Sequence, residues 1–351
     1  MKQSAQPLVS ISIVTCNSAE YIGDCLKSLF KVRYLAIEII IFDNNSSDTT
    51  IDTIKSVSLS EKITLIENAT NVGFAAAHNQ VAKIAKGKYL FILNPDTVVT
   101  PAVFEPLIET MENDLSVAVT QPLVYLFDKK TINLTGKTTH FLGFDWIRDY
   151  KTKSIPNSGL IYSCSGSGMC VKSDVFLKLG GFDEQFFMYY EDSDFSWRCL
   201  LAGYTLRFVK ESVLYHDYKY IPKENYLSLH RKLFLIERNR LATFFKNYSL
   251  KSIILFLPAA IFMEVGMTFF AFISGWGVVK LKSYFSLLAL APKVIAARKK
   301  VQALRKVSDA SLLNNFTGKI TFDAFENSVV KHIVNPVLES YFTGVKKLLK
   351  S

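Results

Sequence analysis

Three acids crowd one turn after an aromatic run: Phe186-Phe187-Met188-Tyr189-Tyr190 leads into Glu191-Asp192-Ser193-Asp194. Arg198 stands one helical turn after Asp194, and a lone histidine, His216, closes an apolar stretch further on. Upstream, Leu93-Asn94-Pro95-Asp96 ends another apolar run with a carboxylate projected from a proline turn. A carboxylate and an imidazole can hold Mg2+ or Mn2+, with diphosphate oxygens and waters filling the octahedron. A second carboxylate can take the proton of an attacking hydroxyl. These are the parts of a metal-assisted transfer from a nucleotide-activated substrate. Each also has a plainer explanation. Asn-Pro-Asp is a common turn. Acids at a helix start cap amides and complement the dipole, and Asp194 can pair with Arg198 at i+4. A lone strand-end histidine is often a satisfied structural group.

Such groups need a frame that brings them together. Leu8–Thr15 and Ile37–Phe42 are short β-rich apolar runs, the second ending at Asp43. Between them, Ala19–Phe30 has apolar residues at helical spacing. Asn44-Asn45-Ser46-Ser47-Asp48 is a turn and cap before a helix over Thr49–Val57, and Ile63–Ile66 is a third strand. Asn71-Val72-Gly73-Phe74 turns into a helix to about Ala85, and Tyr89–Leu93 is a fourth strand. Continuous apolar strands alternating with helices predict an α/β fold with a parallel sheet covered on both faces. Ligands bind such sheets beyond the carboxyl ends of the strands, where Thr15, Asp43 and Asp96 lie. From Ser116 the alternation weakens, and 130–160 reads as loop-rich. Ile161–Val171 is strand-like with Gly166 and Gly168 inside it, which marks close approach of a ligand or another backbone. A helix over Asp192–Ala202 and short strands at Leu206–Val209 and Val213–Tyr215 follow.

In order, Ile13-Val14-Thr15-Cys16-Asn17, Asp43 to Asp48, Asn71-Val72-Gly73-Phe74-Ala75, Leu93-Asn94-Pro95-Asp96, Gly180-Gly181-Phe182-Asp183-Glu184 and Tyr190-Glu191-Asp192-Ser193-Asp194 with Arg198 make a pattern. It resembles the family 2 glycosyltransferases of the GT-A fold, and within them the bacterial rhamnosyltransferase-like branch that builds cell-surface polysaccharide. The resemblance covers roughly 8–220. It implies a Rossmann-like, mostly parallel sheet and an inverting transfer of a sugar, rhamnose in that branch, from a dTDP- or UDP-sugar. It implies that Thr15 and Asp43 hold base and ribose, and that Asn71, Gly73 and Phe74 line the nucleotide site. Asp96 and His216 would bind the divalent cation, and Asp192 would be the general base, beside Glu191, Asp194 and Arg198 of the acidic motif. The usual Asp-x-Asp is here Asn94-Pro95-Asp96, with one carboxylate, and Cys16 replaces a frequent tyrosine.

Composition bounds the rest. With 21% charged and 49% hydrophobic residues, the chain is neither disordered nor polytopic. Residues 1–217 hold 20 basic and 24 acidic side chains, whereas 218–351 hold 21 and 7, so the basic C-terminal part is expected to meet something anionic. A solvated basic tail would have the same composition. Cys16, Cys25, Cys164, Cys170 and Cys199 form no Cys-x-x-Cys pair, and the polar start up to Pro7 predicts no secretory signal; together they suggest a cytosolic protein with reduced thiols. Tyr226–Lys246 is a basic amphipathic helix. Ile253–Val279 then has no Lys or Arg and one acid, Glu264, and a second apolar patch, Tyr284–Ala291, ends at Pro292. The expected division is a catalytic domain over 1–220 and a helical, membrane-associating region over 221–351. Ile253–Val279 is long enough to span a bilayer, but Glu264 near its middle and basic residues at both ends favour helices lying in an anionic membrane interface. A true span and a soluble helical domain stay open. An enzyme on the cytoplasmic membrane face suggests a lipid-linked glycan acceptor, and no nucleic acid is expected. Two rivals are weighed. A nucleotidyltransferase needs a Gly-rich, basic phosphate loop near the first strand, and Thr15-Cys16-Asn17-Ser18 is neither. A non-catalytic membrane-binding module would not need Asp96, Asp192 and His216 together.

Overall fold

The structure, a computed structural model, describes residues 6–57, 63–218, 226–321 and 328–350. The chain divides into two compact units, one formed by the chain to Lys137, Ile147–Cys199 and the strand after Tyr204, the other by Thr138–Trp146, Leu200–Gly203 and the C-terminal helices. The boundary expected at 220/221 lies outside the described residues.

The first unit alternates as its periodicity predicts: β1 (Val9–Thr15), α1 (Ala19–Leu29), β2 (Ile37–Asp43), α2 (Thr50–Val57), β3 (Ile63–Glu67), α3 (Gly73–Ile84) and β4 (Tyr89–Leu93). Then come β5 (Thr97–Val99), α4 (Phe104–Asn113), β6 (Val117–Leu126), β7 (Ile132–Leu134), β8 (Lys137–Thr139), β9 (Asp145–Ile147), β10 (Gly159–Ile161), β11 (Gly168–Lys172), α5 (Ser173–Lys178), α6 (Glu191–Leu201) and β12 (Thr205–His216). The main sheet runs β10-β12-β6-β11-β4-β1-β2-β3, with β5 on β12 and β7 on β6. β4, β1, β2 and β3 are mutually parallel, as β12 and β6 are, whereas β11 lies antiparallel between β4 and β6.

Alternation along β2 shows why helices cover both faces. Ile39 and Ile41 pack with Ile22, Leu26 and Leu29 of α1 in the cluster that also holds Phe104 and Leu107 of α4. Ile40 and Phe42 point the other way, onto Ala77 and Val81 of α3. A side chain of this size contributes about 1.5–3 kcal/mol when it leaves water. A strand that gains on both faces has no polar register, and it reads as an unbroken apolar run.

Three expectations change. The loop-rich reading of 130–160 gives way to short strands β7 to β10, too brief to leave a period. Ile161–Val171 is divided, with its strand beginning only at Gly168. The two strands expected after Leu206 are one, β12, whose register shifts between Val209 and Val213.

The second unit is helical: α7 (Tyr226–Asn247), α8 (Leu250–Ile273), α9 (Gly277–Leu304), α10 (Asp309–Leu312) and α11 (Asn335–Lys350). Pro292 does not end its helix, because α9 continues through it to Leu304, and α8 likewise contains Pro258. Proline removes one intrahelical bond, and the turns on either side carry the helix on. The last turns of α7 are closed by α9: Arg298 Nη1 donates to Phe245 O at 2.6 Å and Tyr248 O at 2.5 Å, and Arg305 Nη2 to Asn247 O at 2.5 Å. Cations at a helix C-terminus satisfy its orphan carbonyls and its dipole.

Glu264 on α8 is not stranded in an apolar face. Arg240 Nη2 lies 2.5 Å from its Oε1, Lys280 Nζ 2.8 Å from its Oε2, and the Tyr284 hydroxyl donates to Oε2 at 2.8 Å. Glu237 pairs with the same two cations. Burial alone would raise Glu264, but Arg240 and Lys280 outweigh it and hold the carboxyl at about 2. Two acids and two bases share one buried network, so removing one partner should strand a charge. Lys280→Met should destabilise this unit by about 3–5 kcal/mol in denaturant unfolding, and Lys282→Met, at an exposed position, should stay within about 0.5 kcal/mol. A loss under about 1 kcal/mol for Lys280→Met would show that the network does not depend on its ammonium.

Candidate active site

The parallel register delivers the first contact. Thr15 lies opposite Asp43 where β1 and β2 end, and its hydroxyl donates to Asp43 Oδ1 at 2.7 Å. Ser46 donates to the same carboxylate from its amide at 2.8 Å and its hydroxyl at 2.6 Å. Asp43 is thereby a buried carboxylate turned toward its own loop. Next to it, Asn44 ties down the third loop: its Oδ1 accepts from Val72 N at 3.0 Å, and its Nδ2 donates to Gly73 O at 3.1 Å. Asn71 Oδ1 accepts from Gly73 N at 2.9 Å, and its Nδ2 lies 3.3 Å from Cys16 Sγ.

Gly73 opens α3 with φ +87, and a Cβ there would sit 2.6 Å from Phe187 O. Only glycine tolerates both demands. The same Phe187 carbonyl accepts from Ala75 N at 3.2 Å, so the aromatic run is docked on the start of α3. Phe187, Tyr189 and Tyr190 have φ of 66, 67 and 72. Left-handed aromatic residues cost of order 1–3 kcal/mol each and persist where their surroundings over-determine them.

Phe74 continues the path. Its ring meets His78 edge-on at 4.2 Å and stacks on Phe182 at 6.2 Å. A Cβ on Gly166 would come within 3.2 Å of the Phe74 ring. Gly166 N–H then donates to Asp192 Oδ2 at 2.9 Å. The close approach expected at Gly166 is to this ring and this carboxylate.

The three acids of α6 have three different surroundings. Asp192 Oδ2 lies 2.7 Å from Lys137 Nζ, and its Oδ1 accepts from Ser193 N at 2.7 Å. Asp194, fully buried, receives Arg198 Nε at 2.8 Å, while the same guanidinium donates to Leu179 O and Gly181 O, each at 2.7 Å. Asp194 and Arg198 are thus structural, as the i+4 spacing allowed. Glu191 is buried with Oε2 unpartnered; burial, then the adjacent Asp192, pushes it up to about 8.

Asp96 and His216 come together, with Oδ1 3.3 Å from Nε2. They make no hydrogen bond, and Asp96 Oδ1 is a buried oxygen without a hydrogen-bond partner. The other imidazole nitrogen, Nδ1, is 2.9 Å from Asn133 Oδ1. If that oxygen accepts, the proton sits on Nδ1 and the Nε2 lone pair faces Asp96. Among the described residues no three His, Cys, Asp or Glu side chains converge as a metal cluster. One carboxylate and one imidazole, with an oxygen to spare, do fit a cation that keeps several waters and substrate phosphates.

Lys137, Asn133 and Ser193 belong to the site, and sequence reasoning did not single them out. Lys137 and Asn133 stand in the segment without a period, where nothing local sets them apart.

Residues 10–179 match the model described as Glycosyl transferase family 2. An uncharacterized glycosyltransferase of Methanocaldococcus jannaschii is 29% identical over 245 residues, covering 69% of this chain and 81% of that one. Other curated relatives are matched over less than half of their own length. Among solved structures, a mannosyltransferase from Pyrobaculum calidifontis in complex with GDP-Man and Mn2+ aligns with TM-score 0.52 and 16% identity, over 98% of this chain and 88% of that one. S. aureus TarS in complex with UDP-GlcNAc aligns with TM-score 0.53 and 14% identity, over 98% and 91%. At these identities the likeness is one of fold, and the fold is GT-A.

The acidic turn yields a pH prediction. Below Glu191's ordinary value near 4.5 both folded and unfolded chains hold its proton, and its burial costs nothing. Above that value the unfolded chain releases the proton first, so wild-type stability falls until about pH 8. Glu191→Gln should remove this loss, gaining on the wild type between pH 5 and pH 8.5 in denaturant unfolding. Parallel stability curves for the two proteins would show that Glu191 ionises normally.

Proposed function

We propose that this chain, whose residues 10–179 match the model of the family 2 glycosyltransferases and whose sheet has the GT-A fold, carries out an inverting transfer of a sugar from a nucleoside-diphosphate sugar to a glycan hydroxyl. The observation that supports it best is the unbroken run of contacts from Thr15 and Asp43, through Asn71, Gly73 and Phe74, to Gly166 and Asp192. It joins a nucleotide-facing edge to a carboxylate fit for proton removal.

In this reading Thr15 and Asp43 orient base and ribose, and Asn71, Gly73 and Phe74 line the nucleotide. Asp192 is the general base. The acceptor oxygen bonds to the anomeric carbon as the carbon–diphosphate bond breaks, and the hydroxyl proton passes to Asp192. One base and direct displacement invert the centre. Asp96 and His216 would hold a divalent cation, Mg2+ or Mn2+, which when bound neutralises charge on the leaving diphosphate. Asp96 would thereby contact the donor as well.

The finer assignment is rhamnose from a dTDP-sugar, or another sugar from a UDP-sugar, carried to a lipid-linked glycan in cell-surface polysaccharide assembly. The support is the resemblance in the motifs and the character of the helical region. Residues 1–220 would be the catalytic domain, and 221–351 would lie on the cytoplasmic membrane face. α8 has 24 residues and is long and apolar enough to cross a bilayer. It exposes Ile254, Ile261, Phe262, Val265 and Phe269, and it carries Glu264, whose charge is met by Arg240 and Lys280. A helix bonded by ion pairs to α7 and α9 suits insertion along the interface better than a lone crossing. Lys251, Lys282, Lys293, Lys299 and Lys300 are exposed for anionic headgroups.

The donor test is thermal unfolding of the full chain with dTDP-rhamnose, UDP-N-acetylglucosamine and GDP-mannose, with and without Mn2+. One of them should raise the melting temperature, more with Mn2+, and Asp96→Ala should abolish the Mn2+ increment. Asp192→Asn should keep that protection and lose about 10²–10⁴-fold in sugar transfer. No protection by any nucleotide-sugar, together with no transfer of labelled sugar, would sink the reading. For the membrane, full-length protein should float with anionic vesicles and be partly released by high salt, which screens lysines but not apolar burial. Protein left at the bottom of the gradient would return 221–351 to the role of a soluble helical domain.

A further inference from the structure

We propose that Lys137 is the positioning residue for the base: its ammonium aims the Asp192 carboxylate and keeps it free of a proton until the acceptor hydroxyl arrives. The inference rests on the assignment of Asp192 made above. Four donors reach that carboxylate. Lys137 Nζ at 2.7 Å and Gly166 N–H at 2.9 Å meet Oδ2. Ser193 N–H at 2.7 Å and Ser193 Oγ at 3.3 Å meet Oδ1. Two are backbone amides, and the third is the hydroxyl of the neighbouring residue. Lys137 differs from all three: it comes from β8, far away in sequence, and it carries charge. It also lies 3.0 Å from Ser193 Oγ, which passes a hydrogen bond to Oδ1. A single ammonium therefore acts on both arms of the carboxylate. The Ser193 hydroxyl makes the long contact and can rotate away, leaving Oδ1 for the acceptor.

Burial gives the pair its weight. The side chains of Lys137 and Asp192 are 15% and 10% exposed, so solvent screens them far less than a surface pair. The other titratable groups around Asp192 do not replace Lys137. Glu191 holds its proton at neutral pH, Asp194 is bonded to Arg198, and Cys164 is a buried thiol that desolvation pushes well above its ordinary value. A cation beside a carboxylate favours the charged form, commonly by about 1–3 pH units.

The experiment reads Asp192 directly and needs no substrate. Full-length protein is labelled with 13C at the aspartate side-chain carboxyls, and the Asp192 resonance is assigned by its loss in Asp192→Asn. It is then titrated in wild type, Lys137→Met, Lys137→Gln and Lys137→Arg. The midpoint should rise by about 1–3 units in the Met and Gln variants and return close to wild type with Arg. A single cooperative melting transition and retained nucleotide protection would mark the variants as folded, and Lys137→Gln, which keeps a donor, serves if Lys137→Met does not fold. A midpoint that stays in place in the neutral variants overturns the role of Lys137. A raised midpoint beside an Asp192→Asn enzyme that still transfers sugar overturns Asp192 as the base and leaves the pairing intact.

Discussion

Arg198 fixes the part of the site that the sheet cannot fix. The strands place Thr15, Asp43 and Asp96 by register alone, but α6 arrives after a loop. Arg198 holds Asp194 on its own helix and the carbonyls of Leu179 and Gly181 on the preceding turn. That turn delivers Phe182, whose backbone is gripped by Asn79 of α3 through its N–H at 2.8 Å and its carbonyl at 2.9 Å. Beyond Phe182, the Phe187 carbonyl lands on the start of α3, where it accepts from Ala75 N. A buried guanidinium with three bonded partners is a costly device unless every bond is made. The contacts tie the helix of the acidic turn to the turn before it, so the arginine helps to position Asp192 without touching it.

The strained aromatic residues follow from that closure. Phe187, Tyr189 and Tyr190 take left-handed backbone angles because both ends of their segment are already anchored, at Phe182 and at α6. The strain has a local return: it brings Asp192 to the Gly166 amide, under the Phe74 ring. A relaxed segment would leave the carboxylate free to wander, and a base must be held to act on one hydroxyl.

How far the sequence could be read depended on the range of the interaction. The strands β1, β2 and β4 are visible because burial on both faces leaves an apolar run in one stretch of chain. The edge positions of Thr15, Asp43 and Asp96 follow from topology, and the pairing of Asp194 with Arg198 follows from helical spacing. Lys137 and Asn133 were invisible because each acts on a residue far along the chain and sits on a strand of three residues, too short for a pattern. β12 looked like two strands because Lys210-Glu211-Ser212 interrupts its apolar residues where the register shifts. Glu264 looked like an obstacle in an apolar segment because its partners, Arg240 and Lys280, lie on the helices before and after. Arg298 and Arg305 count toward the basic composition of 218–351, and both donate to helix carbonyls.

The acidic turn shows why three carboxyls on one helix start are tolerable, and what that leaves for chemistry. Unrelieved, three charges in one buried turn would repel one another and lose their hydration. Each is relieved differently: Glu191 by keeping its proton, Asp194 by a buried arginine, Asp192 by a lysine and two backbone amides. Only the last arrangement can be reversed in a reaction cycle. The Glu191 carboxyl that carries its proton is buried, and releasing Arg198 would free the loop that builds the site. Lys137 and Asp192 keep a little exposure, and the lysine side chain is long and flexible. A proton arriving on Asp192 would weaken its hold on Lys137 and leave the surrounding fold intact, which is the property that the proposed general base needs.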